Sequence, residues 1–274
     1  MSAGVSRRAL PGFGLGLGYA VAYLSLLVLI PLIACLVKAA SLSPSEFLAA
    51  AWTPRAQAAY ALTFGVALIA AAVNVVLGTI VAWSLVRYEF PGKRLVDALV
   101  DVPLALPTAV AGLVYASLYV KTGWLGQFLE PFGIQAAYSR LGIVLVLIFT
   151  GFPFVVRTVQ PVLAELEAEA EEAAAVLGAS RWETFRRVIL PTLIPPAITG
   201  FALAFARGLG EYGSVIFISS NKIFETEIAP MLILVRLEEY AYAEAAAIAT
   251  VLLGFSFVLL TLINYLERRS KRDG

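Results

Sequence analysis

Residues 9–37 contain no charged side chain. About 20 apolar residues in a helix cross the roughly 30 Å hydrocarbon core of a bilayer, so this one run sets the solvent in which the chain folds. Five further apolar segments follow, and the six spans are placed at about 13–37, 58–86, 102–120, 141–160, 192–220 and 245–266. Lipid offers no partner to a free N–H or C=O, so each segment must satisfy its own backbone as a helix. The expected fold is all-α, a polytopic membrane protein with six transmembrane helices in a single domain over 1–274. Composition agrees: 60% of residues are hydrophobic and 14% charged, against about 25% charged in soluble domains. No internal repeat and no linker divides the chain. Pro31, Pro103, Pro107, Pro153, Pro195 and Pro196 fall in or at the ends of spans, where each removes a backbone donor and favours a kink.

The side-chain inventory excludes several chemistries. Twenty basic residues balance 19 acidic ones, which gives no electrostatic footprint for nucleic acid. Without histidine there is no imidazole metal site or neutral-pH proton relay. The single Cys35 forbids an intrachain disulfide. No metal and no cofactor is expected in this chain, and no catalytic residue. Arg7-Arg8 ahead of the first span resembles a secretory leader and Leu32-Ile33-Ala34-Cys35 a lipoprotein cleavage site. The length of the uncharged run favours a retained span over both.

Orientation follows from the Lys/Arg bias of the connecting segments. With the N-terminus in the cytoplasm, cytoplasmic segments hold 13 basic residues, from Arg7 and Arg8 to Arg268, Arg269, Lys271 and Arg272. The opposite side holds 6: Lys38, Arg55, Lys121, Arg140, Lys222 and Arg236. With Arg207 inside a span, 13 + 6 + 1 accounts for all 20. Both termini and the segment 164–191 are therefore expected in the cytoplasm.

That segment is the most informative stretch of the chain. Ala164 to Val176 consists almost wholly of strong helix formers, with Glu165, Glu167, Glu169, Glu171 and Glu172 crowding the first turns, where the helix dipole favours negative charge. Gly178 is a C-terminal stop, since glycine alone takes the left-handed cap cheaply. Ser180 and Glu183 form a capping-box pattern that starts a second helix, on which Trp182, Phe185 and Ile189 share a face beside Arg186 and Arg187. Leu190-Pro191 is then expected to return the chain to the membrane. A helix, a hard turn and a second helix at the bilayer surface make a stub that can seat in a groove of another protein.

The pattern Glu172-Ala173-Ala174, Gly178 and Val188-Ile189-Leu190-Pro191 resembles the EAA loop of ABC importer permeases. The resemblance implies the type I (MetI-like) importer architecture, with Glu172, Ala173, Ala174, Gly178, Leu190 and Pro191 as the ATPase-coupling residues. The chain has no GxxxxGK[ST] loop, so ATP and Mg would be bound by a separate ATPase subunit. Two further stretches, Asp101 to Gly112 and Arg207 to Ile218, look like the third- and fifth-span segments of bacterial sulfate/thiosulfate permeases. For that branch the resemblance implies a second permease subunit, two copies of a cytoplasmic ABC ATPase, and an extracytoplasmic sulfate- or thiosulfate-binding protein. It implies the bacterial inner membrane as the location.

Arg207 and Glu211 are four residues apart, a spacing that pairs side chains on one helical face, and an unpaired arginine in a span costs about 2.5–3.5 kcal/mol. Two readings of the pair stay open: a structural ion pair, or a gate that opens for a dianion. Gly210 and Gly213 beside it suit a hinge, as does Gly208. Thr108, Ser214, Ser219, Ser220 and Asn221 are candidate hydrogen-bond donors to a passing anion. The pathway set is thus Thr108, Arg207, Gly210, Glu211, Gly213 and Ser214. Asp97 and Asp101 are read as favourable charges at a helix N-terminus, and Arg157 as snorkelling to the interface. Molybdate or tungstate is the alternative cargo. An ion-coupled secondary transporter is the alternative class, and it would need buried acidic relays and an inverted repeat.

Overall fold

The computed structural model describes residues 13–166 and 168–273. Arg7, Arg8, the predicted start of the first run at Ala9, and Glu167 lie outside them. The described residues form helices and turns with no strand. Among the described residues five helices are long and apolar enough to cross a membrane: α1 (Phe13–Ala39), α3 (Pro54–Arg87), α8 (Arg140–Glu165), α10 (Arg181–Leu209) and α13 (Tyr242–Asp273), the last over Tyr242–Tyr265. Between α1 and α3 lies the short α2 (Pro44–Ala51). Helix starts follow local chemistry. Ser43 with Glu46 and Ser180 with Glu183 form complete capping boxes, and the Thr53 hydroxyl accepts from Ala56 N at 3.1 Å ahead of α3.

The core is the contact of α3, α8 and α10, with Val66, Ala67, Ile143, Val146, Val155, Val159 and Phe205 buried in it. Lipid tails are as apolar as leucine, so small residues that let backbones approach are what hold such helices together. A β-carbon on Gly78 of α3 would stand 2.8 Å from Val155 Cβ, and one on Gly200 of α10 would stand 2.8 Å from Val155 Cα. The three helices thus meet through glycine.

Two of the six expected spans are not continuous helices. The third, expected at 102–120, is broken into α5 (Val102–Ala105) and α6 (Thr108–Tyr119), with the separate α4 (Lys93–Val100) ahead of it. Pro107 drives Leu106 to ψ 134° and so ends α5. The 12 residues of α6 reach about 18 Å, little more than half of a bilayer core. After α6 come the single turn α7 (Gly126–Leu129) and the start of α8.

The fifth span is displaced rather than shortened. The helix starting at the Ser180 cap does not stop at Leu190-Pro191 but continues, through a π-helical stretch at Phe185–Ile189, to Leu209. The chain leaves helical form at Gly210, makes the short α11 (Val215–Ile218), and runs irregularly to α12 (Ala229–Glu238). No expectation covered α12, which is tied to α3 by a 2.8 Å bond from Ala229 N to the Thr63 hydroxyl. The helix α9 (Ala168–Val176), in the segment expected to meet an ATPase, lies between α8 and α10.

Candidate functional site

Two regions carry the side chains of interest: the turn between α9 and α10, and the break after α10.

At the first, Gly178 sits at φ +84°. Its N–H reaches the Ala175 carbonyl at 3.0 Å and Ala179 N reaches the Ala174 carbonyl at 3.0 Å, the paired bonds of a Schellman stop. The Ser180–Glu183 box opens α10 two residues later. Val176 and Leu177 are each 87% exposed and Trp182 is 67% exposed, beside a cleft lined by Ala174, Leu177, Gly178, Ala179, Thr184 and Arg187. Large apolar side chains held outward on a rigid turn, next to a cleft, form a surface made to be covered. Glu172 and Ala173 are exposed on the same helix. Leu190 and Pro191 are not at this turn. They lie within α10, about 14 Å along its axis from Arg181.

Sequence reasoning missed how the turn is fastened to the membrane helices. Glu171 of α9 pairs with Arg87 at the end of α3. The Arg87 guanidinium lies 5.2 Å from the Trp83 ring, Trp83 meets Phe185 edge-on at 5.9 Å, and Phe185 stacks on Trp182 at 5.6 Å. Trp83 and Arg87 are four apart at the end of a span, a pattern that would have marked them as an interfacial pair.

A second fastening corrects two assignments. Arg157 does not snorkel free, and Asp97 is not an N-terminal helix charge but lies in the latter half of α4, whereas Asp101 does stand at a helix N-terminus, as the N-cap of α5, without a side-chain capping bond. Arg157 Nη1 donates to Asp97 Oδ1 at 2.7 Å and to Gln160 Oε1 at 2.7 Å. Its Nε and Nη2 donate to Asp101 at 2.9 and 2.6 Å, and Nη2 also donates to the Asp97 carbonyl at 2.8 Å. Hydrogen bonding from Arg157 holds the Asp97 carboxyl below the usual carboxylate range. α4 is thereby locked to the α8 segment that leads to α9.

At the second region the structure brings the whole predicted pathway set together. Arg207 Nη1 and Glu211 Oε2 are 2.5 Å apart. The pair is not inside a helix, as expected, but spans its end, Arg207 in the last turn of α10 and Glu211 beyond Gly210. Glu211 has 1% of its side chain exposed and Arg207 32%. The other Glu211 oxygen, Oε1, accepts from Ser214 N at 3.0 Å and from Ser214 Oγ at 2.9 Å, so the carboxylate staples the non-helical stretch 211–214. The start of α6 lies directly against that stretch. A β-carbon on Gly213 would be 3.2 Å from Thr108 Cβ and closer still to its hydroxyl, and one on Gly112 would be 2.8 Å from Ser214 Cα and its carbonyl carbon. Gly210 has open space around it.

The outer hydroxyls are less available than the sequence suggested. Ser214 Oγ is committed to Glu211. Ser219, buried, donates to Met231 sulfur at 3.6 Å, and Ser220 shares a 3.1 Å bond with Thr226. Asn221, at φ +47°, stays exposed. Arg55 grips Glu227 by two bonds of 2.7 and 2.6 Å, and Arg140 donates to the Phe224 and Glu225 carbonyls at 3.1 and 2.8 Å. These hold the 219–228 segment over this end of the bundle.

The sequence model of the family described as "Binding-protein-dependent transport system inner membrane component" matches residues 74–272. The sulfate transport system permease protein CysT of Synechocystis is 55% identical over 252 residues, covering 92% of this chain and 88% of that protein. The protein of the same name in Escherichia coli is 48% identical over 267 residues, covering 97% and 96%. Among solved structures, a bacterial ABC transporter for import of the polysaccharide alginate shares the fold at TM-score 0.75 and 16% identity, covering 93% and 94%. An alginate transporter in complex with its alginate-bound periplasmic protein is similar at TM-score 0.76 and 18% identity.

Proposed function

Because this chain belongs to the binding-protein-dependent transport system inner membrane component family, we propose that it is the membrane-spanning subunit of an ABC importer for sulfate and thiosulfate. It is a multi-pass inner membrane protein, and in this reading all of 1–274 is one permease domain with both termini in the cytoplasm. The observation that carries the coupling is the rigid turn at Gly178, with Val176, Leu177 and Trp182 held outward. A cytoplasmic ATPase, binding the ATP and Mg, seats on that turn, and two copies serve a pair of permease subunits. Likeness to sulfate permeases at about half identity over nine-tenths of the chain supports the cargo and a sulfate-binding protein on the outer side.

The mechanism follows from how the turn is fastened. Movement of α9 acts on α8 and α10, which flank it, and through the Glu171–Arg87 pair on α3. The Arg157 cluster carries α4 along with α8. The displacement reaches the break at 210–214, where Thr108, Gly213, Ser214 and the Arg207–Glu211 pair form the constriction the anion passes. The polar, non-helical stretch packs directly against the broken third span at Thr108 and Gly112, and irregular backbone between spans is tolerated where protein or a water-filled cavity covers it, which supports this place as the pathway. The chain itself forms and breaks no covalent bond.

The test is uptake of radiolabelled sulfate in cells lacking their own permease, supplied with this chain and its partner subunits, with Gly178→Asp alongside. Uptake that thiosulfate competes away, and that Gly178→Asp abolishes, is the expected result. Uptake competed by molybdate alone overturns the cargo. Uptake indifferent to Gly178→Asp overturns the coupling.

A further inference from the structure

Asn74 lies in the middle of α3, 0% exposed, where α3, α8 and α10 meet. Neither its Oδ1 nor its Nδ2 has a hydrogen-bond partner. Buried polar groups nearby are served locally. Thr63 donates to the Ala59 carbonyl at 2.7 Å and accepts from Ala229 N, and Thr150 donates to the Leu147 carbonyl at 3.4 Å. A buried amide without partners is costly anywhere, and at this depth the surrounding lipid offers it none. An orphan of this kind calls for a reason.

Its surroundings supply one. A β-carbon on Gly151 of α8 would lie 2.7 Å from Asn74 Nδ2 and 3.3 Å from Ala204 Cβ of α10. The amide therefore faces a stretch of α8 with no side chain over its backbone, where a helix carbonyl such as that of Gly151 keeps a second lone pair for an outside donor. Two residues further on, Pro153 deprives α8 of one backbone hydrogen bond, as Pro161 does nearer the coupling helix, and makes this a place where it can bend. α8 runs on to Glu165, immediately ahead of the coupling helix. A bend at Pro153, driven from the coupling helix, slides the bare backbone at Gly151 past the Asn74 amide.

We propose that Asn74 is a positioning residue of the transport cycle: unbonded in the conformation described here, its amide hydrogen-bonds the α8 backbone beside Gly151 once the coupling helix has moved, and so favours that second conformation. The proposal rests on the reading of Ala168–Val176 as the coupling helix. It places the bond between the two helices whose relative movement the ATPase has to drive, about halfway across the membrane.

The experiment uses the whole complex carrying Asn74→Leu, a side chain of similar outline that cannot hydrogen-bond, with Asn74→Ala as a second variant. Thermal unfolding is measured without nucleotide and with ATP and Mg, together with the ATP concentration giving half-maximal hydrolysis and the rate of sulfate uptake. Packing costs common to both conformations cancel in the difference between the two Tm values. The expected result is a nucleotide-free Tm equal to or above that of the natural protein, a smaller gain in Tm on adding ATP, and a half-maximal ATP concentration raised about fivefold, the factor that one net hydrogen bond represents. Uptake falls by a similar factor. A nucleotide-free Tm that drops while the gain from ATP is unchanged means that the amide is bonded in the resting conformation, and overturns the proposal; so does natural behaviour in both states. Gly178→Asp, run in parallel, separates the two failures. If it is uncoupled while Asn74→Leu is indifferent, only the proposal on Asn74 falls. If it transports normally, the coupling reading falls and takes this proposal with it.

Discussion

Gly112→Ala is the sharpest test of the constriction between α6 and the break after α10. The added methyl carbon would sit 2.8 Å from Ser214 Cα and from its carbonyl carbon, and nearer to the carbonyl oxygen. Carbon atoms pack at about 3.5–4.0 Å, so α6 and the 211–214 stretch have to separate by about 1 Å. The obstacle is main chain, which no rotamer change moves away. That stretch is also stapled by Glu211, which holds Ser214 through both N and Oγ, so it cannot yield without losing those bonds. Overpacking of this kind costs about 1–3 kcal/mol, or about 5- to 150-fold in a conformational equilibrium at about 1.4 kcal/mol per tenfold. The control is Gly210→Ala in the same region, at φ −92° with no atom within 4 Å of the added carbon. Thermal unfolding of the purified complex and sulfate uptake are measured for both. The expected result is a lowered Tm and uptake reduced at least fivefold for Gly112→Ala, with Gly210→Ala close to natural. Equal behaviour of the two would refute the close contact of α6 with Ser214.

Three further outcomes follow from the fastenings of the turn at Gly178, read as the coupling site. Gly178→Ala places a β-carbon at φ +84° and costs about 1–2 kcal/mol, whereas Gly178→Asn tolerates that region. ATP-driven uptake should fall for alanine and largely survive for asparagine, and the reverse order would discount the turn. Arg87→Ala removes the pair with Glu171 and the contact over Trp83, half-exposed interactions worth about 1 kcal/mol together. ATP hydrolysis by the complex should become less dependent on transport, with assembly unchanged as judged by co-purification of the ATPase. The Asp97 carboxyl is held below its ordinary range by Arg157. Its contribution to stability is therefore fully present above the unfolded value, about pH 4, and lost as pH falls through the lower folded value. Arg157→Leu should flatten the pH dependence of Tm in that acid range, and an unchanged slope would count against the cluster.

Much of this was legible because lipid leaves a chain few options. An apolar run such as 58–86 can only be a helix in that solvent, and α3 at Pro54–Arg87 is that helix with its capping residue added. The Gly178 stop and the Ser180–Glu183 box were legible for a different reason: both are chemistry of adjacent residues, independent of the rest of the fold. What escaped depended on partners distant in sequence. Arg157 reads as a lone interfacial cation until Asp97 and Asp101, about 60 residues earlier, are folded onto it. The third and fifth spans escaped for a subtler reason. Hydropathy over 102–120 and 192–220 is that of a crossing helix, and nothing in a sum over residues records that Pro107 ends one segment or that helical geometry is abandoned at Gly210. The residues at the break were nonetheless singled out, because Arg207 and Glu211 are costly in a span unless paired, and their pair sits across the point where the helix ends.

If the break is the anion's path, as proposed, its charge balance decides how the anion is treated there, and Glu211→Gln tests it. Arg207 and Glu211 cancel, so the constriction offers a dianion polar groups but no net positive charge. A route through the membrane needs a site weak enough to leave, and an unpaired, one-third exposed guanidinium would hold sulfate instead of passing it. Glutamine keeps the oxygen that accepts from Ser214 N and Oγ, so the 211–214 stretch retains its staple, while the neutralising charge and the bond from Arg207 are lost. Arg207 is then unpaired beside the path. The expected signature is tighter retention: uptake reaches a lower maximal rate at a lower half-saturating concentration of the loaded binding protein. Arg207→Leu is the opposite perturbation, leaving a buried carboxylate that repels the anion, and it should lower the maximal rate without that gain in affinity. If Glu211→Gln transports like the natural protein, the pair is a structural link across the end of α10, and the anion takes another path.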